Sequence, residues 1–161
     1  MSEDTDNSLK VYVDLPNHWA TGGESLWARP LGNDLYELEN VLFYAYGLNF
    51  LDVVKAIENQ DSILEITEVI KNSGHRTLRI IVDSSLTEED QLELLSDLEK
   101  LNVSFERANS HYLAIDVHPE ADYDAVCDKL WQLQQQGLLG YETCEARVPN
   151  SFDALLEGDS G

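Results

Sequence analysis

The chain has 161 residues, of which 43% are hydrophobic, so it suits one domain or two very small ones and is not globally disordered. Its 31 acidic and 10 basic residues give a formal net charge of −21. Such a surface repels nucleic acid and anionic membranes, whereas a basic partner is steered toward it. Solubility or adaptation to salt would also explain the acidity, and both stay open beside a functional acidic surface.

Three sequence features bear on the cellular compartment of the protein. It has no apolar run of the roughly 18 residues that a transmembrane helix needs. Its acidic, polar start does not resemble a secretory signal. Cys127 and Cys144 lie too far apart to suggest a disulfide framework. We therefore expect a cytoplasmic protein that contacts neither membrane nor nucleic acid.

The first half of the chain predicts a run of short strands after a disordered tail at residues 1–9. Apolar and polar residues alternate from Lys10 to Leu15, which predicts a strand ended by Pro16. A second strand is predicted from Ser25 to Arg29, ended by Pro30. A tight turn at residues 32–34 leads to further strands at 35–38, 52–58 and 63–70, and the aromatic segment 43–47 is expected to plug one end of the sheet.

The second half changes rhythm and predicts the order β-α-β-β-α-β. A strand at 77–82 precedes a helix capped by Thr87, with Asp90 in the capping-box position. A second helix is predicted to begin at Asp122 and to stop at Gly137. Both helices carry an apolar stripe. The remaining strands are predicted at 103–107, 112–117 and 139–147.

This order is that of the ferredoxin-like fold, with two helices on one face of a four-stranded antiparallel sheet. The predicted class is therefore α+β. A small bent sheet or barrel at residues 10–72 packs on a ferredoxin-like unit at 73–148, followed by a flexible acidic tail at 149–161.

Catalytic and cofactor motifs are not evident in the sequence. The four histidines (His18, His75, His111 and His118) lack the spacing of metal ligands. The glycines form neither a dinucleotide-binding nor a phosphate-binding loop. Ser73, His75 and Arg76 lie together, but a tetrapeptide shows neither an orienting base nor an oxyanion site, so a turn is favoured. We therefore assign no catalytic, cofactor or metal residue.

The first predicted helix has the sharpest functional interpretation. Glu89, Asp90, Glu93 and Asp97 fall on the face opposite its leucines, and Asp83 and Glu88 lie before or at its start. These six residues are the predicted contact surface for a partner with a basic site. An ordinary solvated helix face has the same composition, so that interpretation stays open.

Several short strings of the sequence occur together in one bacterial family. They include residues 11–16, 23–28, 44–47, 73–76 and 112–117. From about Lys10 to Arg147 the chain resembles the domain-of-unknown-function family 4265. The resemblance implies a small, acidic, cytoplasmic protein and no established activity.

Small acidic proteins of this kind resemble immunity proteins, which neutralise a toxin. The leading hypothesis is a non-enzymatic immunity protein that binds a cognate toxin domain. The alternative is a ferredoxin-like regulatory module that senses a small ligand. A third is an enzyme that uses Ser73, His75 and Arg76.

Overall fold

The computed structural model of the chain describes residues 8–15 and 22–144. Within them the chain is α+β, with a closed five-stranded barrel and a second sheet that carries two helices, which confirms the predicted class. The barrel strands are β1 (Leu9–Asp14), β2 (Gly23–Gly32), β3 (Leu35–Leu38), β4 (Val53–Glu58) and β5 (Leu64–Lys71). There follow β6 (Arg76–Val82), α1 (Glu88–Glu99), β7 (Val103–Arg107), β8 (Tyr112–Val117), α2 (Tyr123–Gln135) and β9 (Leu139–Thr143).

The barrel closes because its first and last strands pair. Neighbours from β1 to β5 are antiparallel, and β1 meets β5 in parallel where Tyr12 lies opposite Glu65. Alternate side chains point inward and form an aliphatic core, in which Val11 and Val13 are buried. The segment between β3 and β4 adds Leu42, Ala45 and Leu48 to this core. Of residues 43–47, which were expected to plug one end of the sheet, Ala45 belongs to this core and Tyr44 packs against it.

The prediction that Pro30 ends the second strand is wrong. Strand β2 continues to Gly32, and Pro30 pairs with Tyr36 of β3. Beyond Ala28, β2 has left its register with β1, so the missing N–H of Pro30 interrupts no bond on that side. Asn33 and Asp34 adopt positive φ in the hairpin turn predicted there.

The second sheet has strand order β7-β8-β6-β9 and is antiparallel throughout. Its inward residues alternate with outward ones, so each strand gives one row of side chains to the helices. Ile80 and Ile115 of the sheet share one core with Leu98 of α1 and Leu130 of α2. Both helices therefore lie on the same face of the sheet.

Both helices begin where the sequence predicts. Thr87 and Asp90 form the reciprocal capping box at the start of α1. Asp122 caps α2 by accepting a hydrogen bond from the Ala125 amide. Gly137 follows α2 with φ 78°, a conformation that favours glycine after a helix.

The opposite face of the sheet meets the barrel through the connection at residues 39–52. Arg79, 1% exposed, projects from β6 into this connection and donates hydrogen bonds to three of its carbonyls. Thr77, two residues earlier, donates to Asn49. The connection thus completes the barrel core on one side and pairs with the second sheet on the other.

Some predicted features lie outside the described residues: Pro16, His18, Arg147, the tail at 149–161, and the predicted tail at 1–9 apart from its last two residues. Leu9 already belongs to β1, so the predicted boundary of that tail is slightly too late. Of the helices in residues 8–15 and 22–144, none is sufficiently long and apolar to cross a membrane.

Candidate functional site

The predicted contact residues that belong to α1 are exposed carboxylates. Glu88, Glu89, Glu93 and Asp97 are all exposed, while Leu95 and Leu98 are buried on the opposite side. Leu92 interrupts the carboxylates with 60% of its surface exposed. Residues three and four apart on a helix are neighbours, so Leu92 lies beside Glu88 and Glu89. We call Glu88, Glu89, Leu92, Glu93 and Asp97 the acidic face.

The other two predicted contact residues have structural partners. The Asp90 carboxylate accepts the Thr87 amide within the capping box. The Asp83 carboxylate accepts hydrogen bonds from the amide and hydroxyl of Ser85. These bonds, with His111 nearby, lower the pKa of Asp83. Asp83 and Asp90 thus organise the loop and the start of α1, whichever partner the helix meets.

The carboxylates of the acidic face differ in how much they contribute to the stability of α1. Acids in the first turn, such as Glu88 and Glu89, are stabilised by the helix dipole. Glu93 and Asp97 lie beyond that turn and continue the i, i+4 series from Glu89, a spacing at which like charges repel. Asp97 forms an exposed 3.4 Å ion pair with Lys100, which is worth little. The charge at Glu93 therefore has no evident benefit for the helix.

Ser73, His75 and Arg76 do not converge on one point. The Ser73 hydroxyl donates to the carbonyl of Phe50 and accepts the amide of His75. Arg76 stacks over Tyr123 of α2, with its guanidinium carbon 3.4 Å from the ring centroid, on the helix-covered face of the sheet. Gly74 has φ 98°, as the turn requires.

His75 belongs instead to a cluster that the sequence did not reveal. Its Nδ1 lies 2.8 Å from one oxygen of Asp116, and Nε2 of His118 lies 3.6 Å from the other. Ser104 is 2.7 Å from the same Nε2. Asp116 is 3% exposed; burial raises the pKa of its carboxyl, and the hydrogen bond from His75 opposes that rise. The sequence signal for this cluster was Asp116, a lone acid among the apolar residues of β8.

This cluster borders a cleft of about 570 Å³ that Val41 and Phe50 also line. A serine–histidine–acid triad needs the carboxylate and the serine on different ring nitrogens. Ser104 and Asp116 both approach Nε2 of His118, and Glu120 is 3.9 Å from Nδ1, beyond hydrogen-bond distance. Among the described residues, no group of three or more His, Cys, Asp or Glu is arranged to hold a metal ion.

Fold and surface together define a class: a small acidic α+β protein that joins a closed barrel to a helix-covered sheet. The chain belongs to the family described as "Domain of unknown function (DUF4265)", whose model matches residues 24–141. This confirms the family resemblance seen in the sequence.

A solved structure described as "Novel crystal structure of a hypothetical protein from Neisseria gonorrhoeae" is similar in fold. It is 18% identical, with a TM-score of 0.71, and the match covers 85% of this chain and 95% of that one. No curated protein matches the chain. At this identity the likeness concerns the fold alone.

Proposed function

We propose that the protein is a non-enzymatic immunity protein that binds a cognate bacterial toxin domain in the cytoplasm and neutralises it. The contact surface is the acidic face of α1. The observation that carries this proposal is Leu92, 60% exposed among carboxylates. An apolar anchor surrounded by charge has the anatomy of a protein-binding surface, with a central contact and a polar rim.

The two kinds of residue have different roles in this proposal. A chain with net charge −21 draws a basic toxin surface toward it, and this long-range attraction raises the rate of association. Leu92 then buries its side chain and slows dissociation. The repulsion between Glu89, Glu93 and Asp97 is relieved when a basic surface approaches.

The same proposal includes a finer description of the second unit as ferredoxin-like. The element order β6-α1-β7-β8-α2-β9 and the strand order β7-β8-β6-β9 support this description. In that arrangement α1 lies at the surface of the two-layered unit, so it is available to a partner.

Neutralisation can be tested directly. The tagged protein is expressed in its native host, and partners are captured at low and moderate salt. A captured partner is then expressed alone and together with this protein in a laboratory bacterium. We expect growth arrest by the partner and rescue on co-expression. Partners that are harmless to growth, or a toxic partner that co-expression does not rescue, would refute the proposal.

The acidic face can be tested with the same partner. Glu93→Gln with Asp97→Asn should slow association and flatten its salt dependence, while Leu92→Ala should speed dissociation. The matched control is Glu58→Gln with Asp61→Asn, which removes the same charge from an exposed part of the barrel. If both double variants change association equally, net charge rather than α1 guides binding.

A further inference from the structure

An open groove crosses the second sheet on the face opposite its helices. The connection 39–52 covers the middle of that face, and beyond it the register places Tyr112, Ile81 and Gly140 side by side on β8, β6 and β9. Ile81 is 60% exposed although it lies on a central strand. The groove has a volume of about 620 Å³, within the range of small-molecule sites.

The floor and one wall of this groove are apolar. Gly140 gives the floor no side chain, and a Cβ placed there would have only the Gln134 side-chain oxygen nearby, at 3.9 Å. Tyr44 and Tyr112 line the groove with ring centroids 6.0 Å apart. The Tyr112 hydroxyl is already engaged, because it donates to the Phe43 carbonyl. Aromatic faces of this kind attract both apolar groups and cations.

The exposed charged side chain at this groove is Glu142. Arg79 directs four hydrogen bonds into the protein, to Glu142 and to three carbonyls, and is 1% exposed. The Glu142 side chain is 44% exposed; its oxygens accept from Arg79 and Tyr46 and keep further acceptor capacity. Of this ion pair, the carboxylate is thus the exposed member.

We propose that this groove binds a small organic ammonium ion with an aromatic or aliphatic body. The body covers Ile81 and Gly140, the ammonium group lies toward Glu142, and Tyr44 and Tyr112 flank it. The proposal is independent of toxin binding, because α1 lies on the opposite face of the sheet.

Three probes with similar bodies separate charge from apolar contact: phenethylammonium, phenethyl alcohol and hydrocinnamate. Binding is measured by calorimetry, and the site is located from the NMR shifts of the Ile81 and Gly140 amides. We expect phenethylammonium to bind at least about tenfold more tightly than the alcohol, a difference of about 1.4 kcal/mol, and hydrocinnamate not to bind. Equal affinity of cation and alcohol, or no shift at these amides with any probe, would overturn the proposal.

Variants test the position of the groove. Gly140→Leu fills the floor, and Ile81→Lys places a cation there at an exposed site, so each should abolish binding of phenethylammonium. Glu142→Gln should weaken it about tenfold, whereas Glu58→Gln removes the same charge from the barrel and should leave it unchanged. Retained affinity in folded Gly140→Leu or Ile81→Lys protein would place the ligand elsewhere and refute this site.

Discussion

Glu24 and Arg79 hold opposite edges of the same backbone segment. The Glu24 carboxylate of β2 accepts the amides of residues 43–45 at 2.6–3.0 Å. The Arg79 guanidinium of β6 donates to the carbonyls of residues 42, 44 and 45 at 3.0–3.3 Å. An irregular segment between two layers must satisfy its backbone groups without a sheet ladder, and these two side chains do so from either side.

Replacing Arg79 should be severely destabilising. Arg79→Ala leaves three carbonyls without their donor, at about 1–3 kcal/mol each, so we expect a loss of at least about 3 kcal/mol in the free energy of unfolding, measured with urea. Arg29→Ala breaks a partly exposed 2.7 Å ion pair with Glu37, and it should cost less than about 1 kcal/mol. Similar losses for the two variants would contradict the role of Arg79 in holding residues 42–45.

The His75–Asp116 contact should show measurable coupling. Both side chains are largely buried and 2.8 Å apart, so a double-mutant cycle with His75→Ala and Asp116→Ala should give an interaction free energy of about 0.5–3 kcal/mol. The exposed Asp97–Lys100 pair serves as the comparison and should give the small value typical of surface pairs. Additive effects at His75 and Asp116 would show that the contact contributes nothing.

Stability should fall as the pH rises from mildly acidic values. Burial raises the pKa of Asp52 above its ordinary value of 3.8, despite hydrogen bonds from the amides of Ser73 and Asn49. The folded chain therefore keeps this proton to higher pH than the unfolded chain. Its stabilising effect is complete below pH 3.8 and is lost as pH rises through the folded pKa.

Asp52→Asn tests the origin of this slope. The substitution removes the titrating group, so the dependence of the urea midpoint on pH should be shallower than in the parent protein. It also sets an amide NH₂ against one of the two backbone donors, which should cost about 1–3 kcal/mol at all pH values. Parallel pH profiles for parent and variant would assign the slope to other carboxyls.

The cap of α1 should contribute a modest share of stability. Thr87→Ala removes the acceptor for the Asp90 amide, and we expect a loss of about 0.5–2 kcal/mol in urea unfolding. Ser96→Ala, at an exposed interior position of the same helix, is the matched control and should be close to neutral. An equal effect at the two positions would show that the capping box is not a stabilising feature.

Local patterns in the sequence predicted the regular elements well. Strands β7 and β8 have the predicted bounds, because alternation and flanking turn residues are local signals. Thr87 caps α1 as predicted, and the start of α2 was predicted to within one residue, since Asp122 is its N-cap. The end of β2 was mispredicted at Pro30, because a proline breaks a strand only where its missing N–H faces a neighbouring strand. Which neighbours β2 has at that point is set by the tertiary fold.

Contacts between residues that are distant along the chain could not be predicted from the sequence. Arg79 lies between Leu78 and Ile80, so alternation places it on the face of the sheet opposite to theirs. The sequence does not show that the connection 39–52 covers that face. His75 and Asp116 are 41 residues apart, and only the pairing of β6 with β8 brings them together. Helical periodicity predicted that Glu89, Glu93 and Asp97 share one side of α1, whereas the exposure of Leu92 is visible only in the structure.

The hydrogen bonds from Arg79 to the carbonyls of residues 42, 44 and 45 limit how the chain could be reused in evolution. Leu42 and Ala45 complete the barrel core, yet the carbonyls of these same residues depend on Arg79, which comes after the last barrel strand. A barrel transplanted without the second sheet would lack Arg79. Those carbonyls would then have no hydrogen-bond donor, right beside the barrel core. The barrel and the second sheet are therefore expected to be inherited together. They should also melt in one calorimetric transition rather than in two.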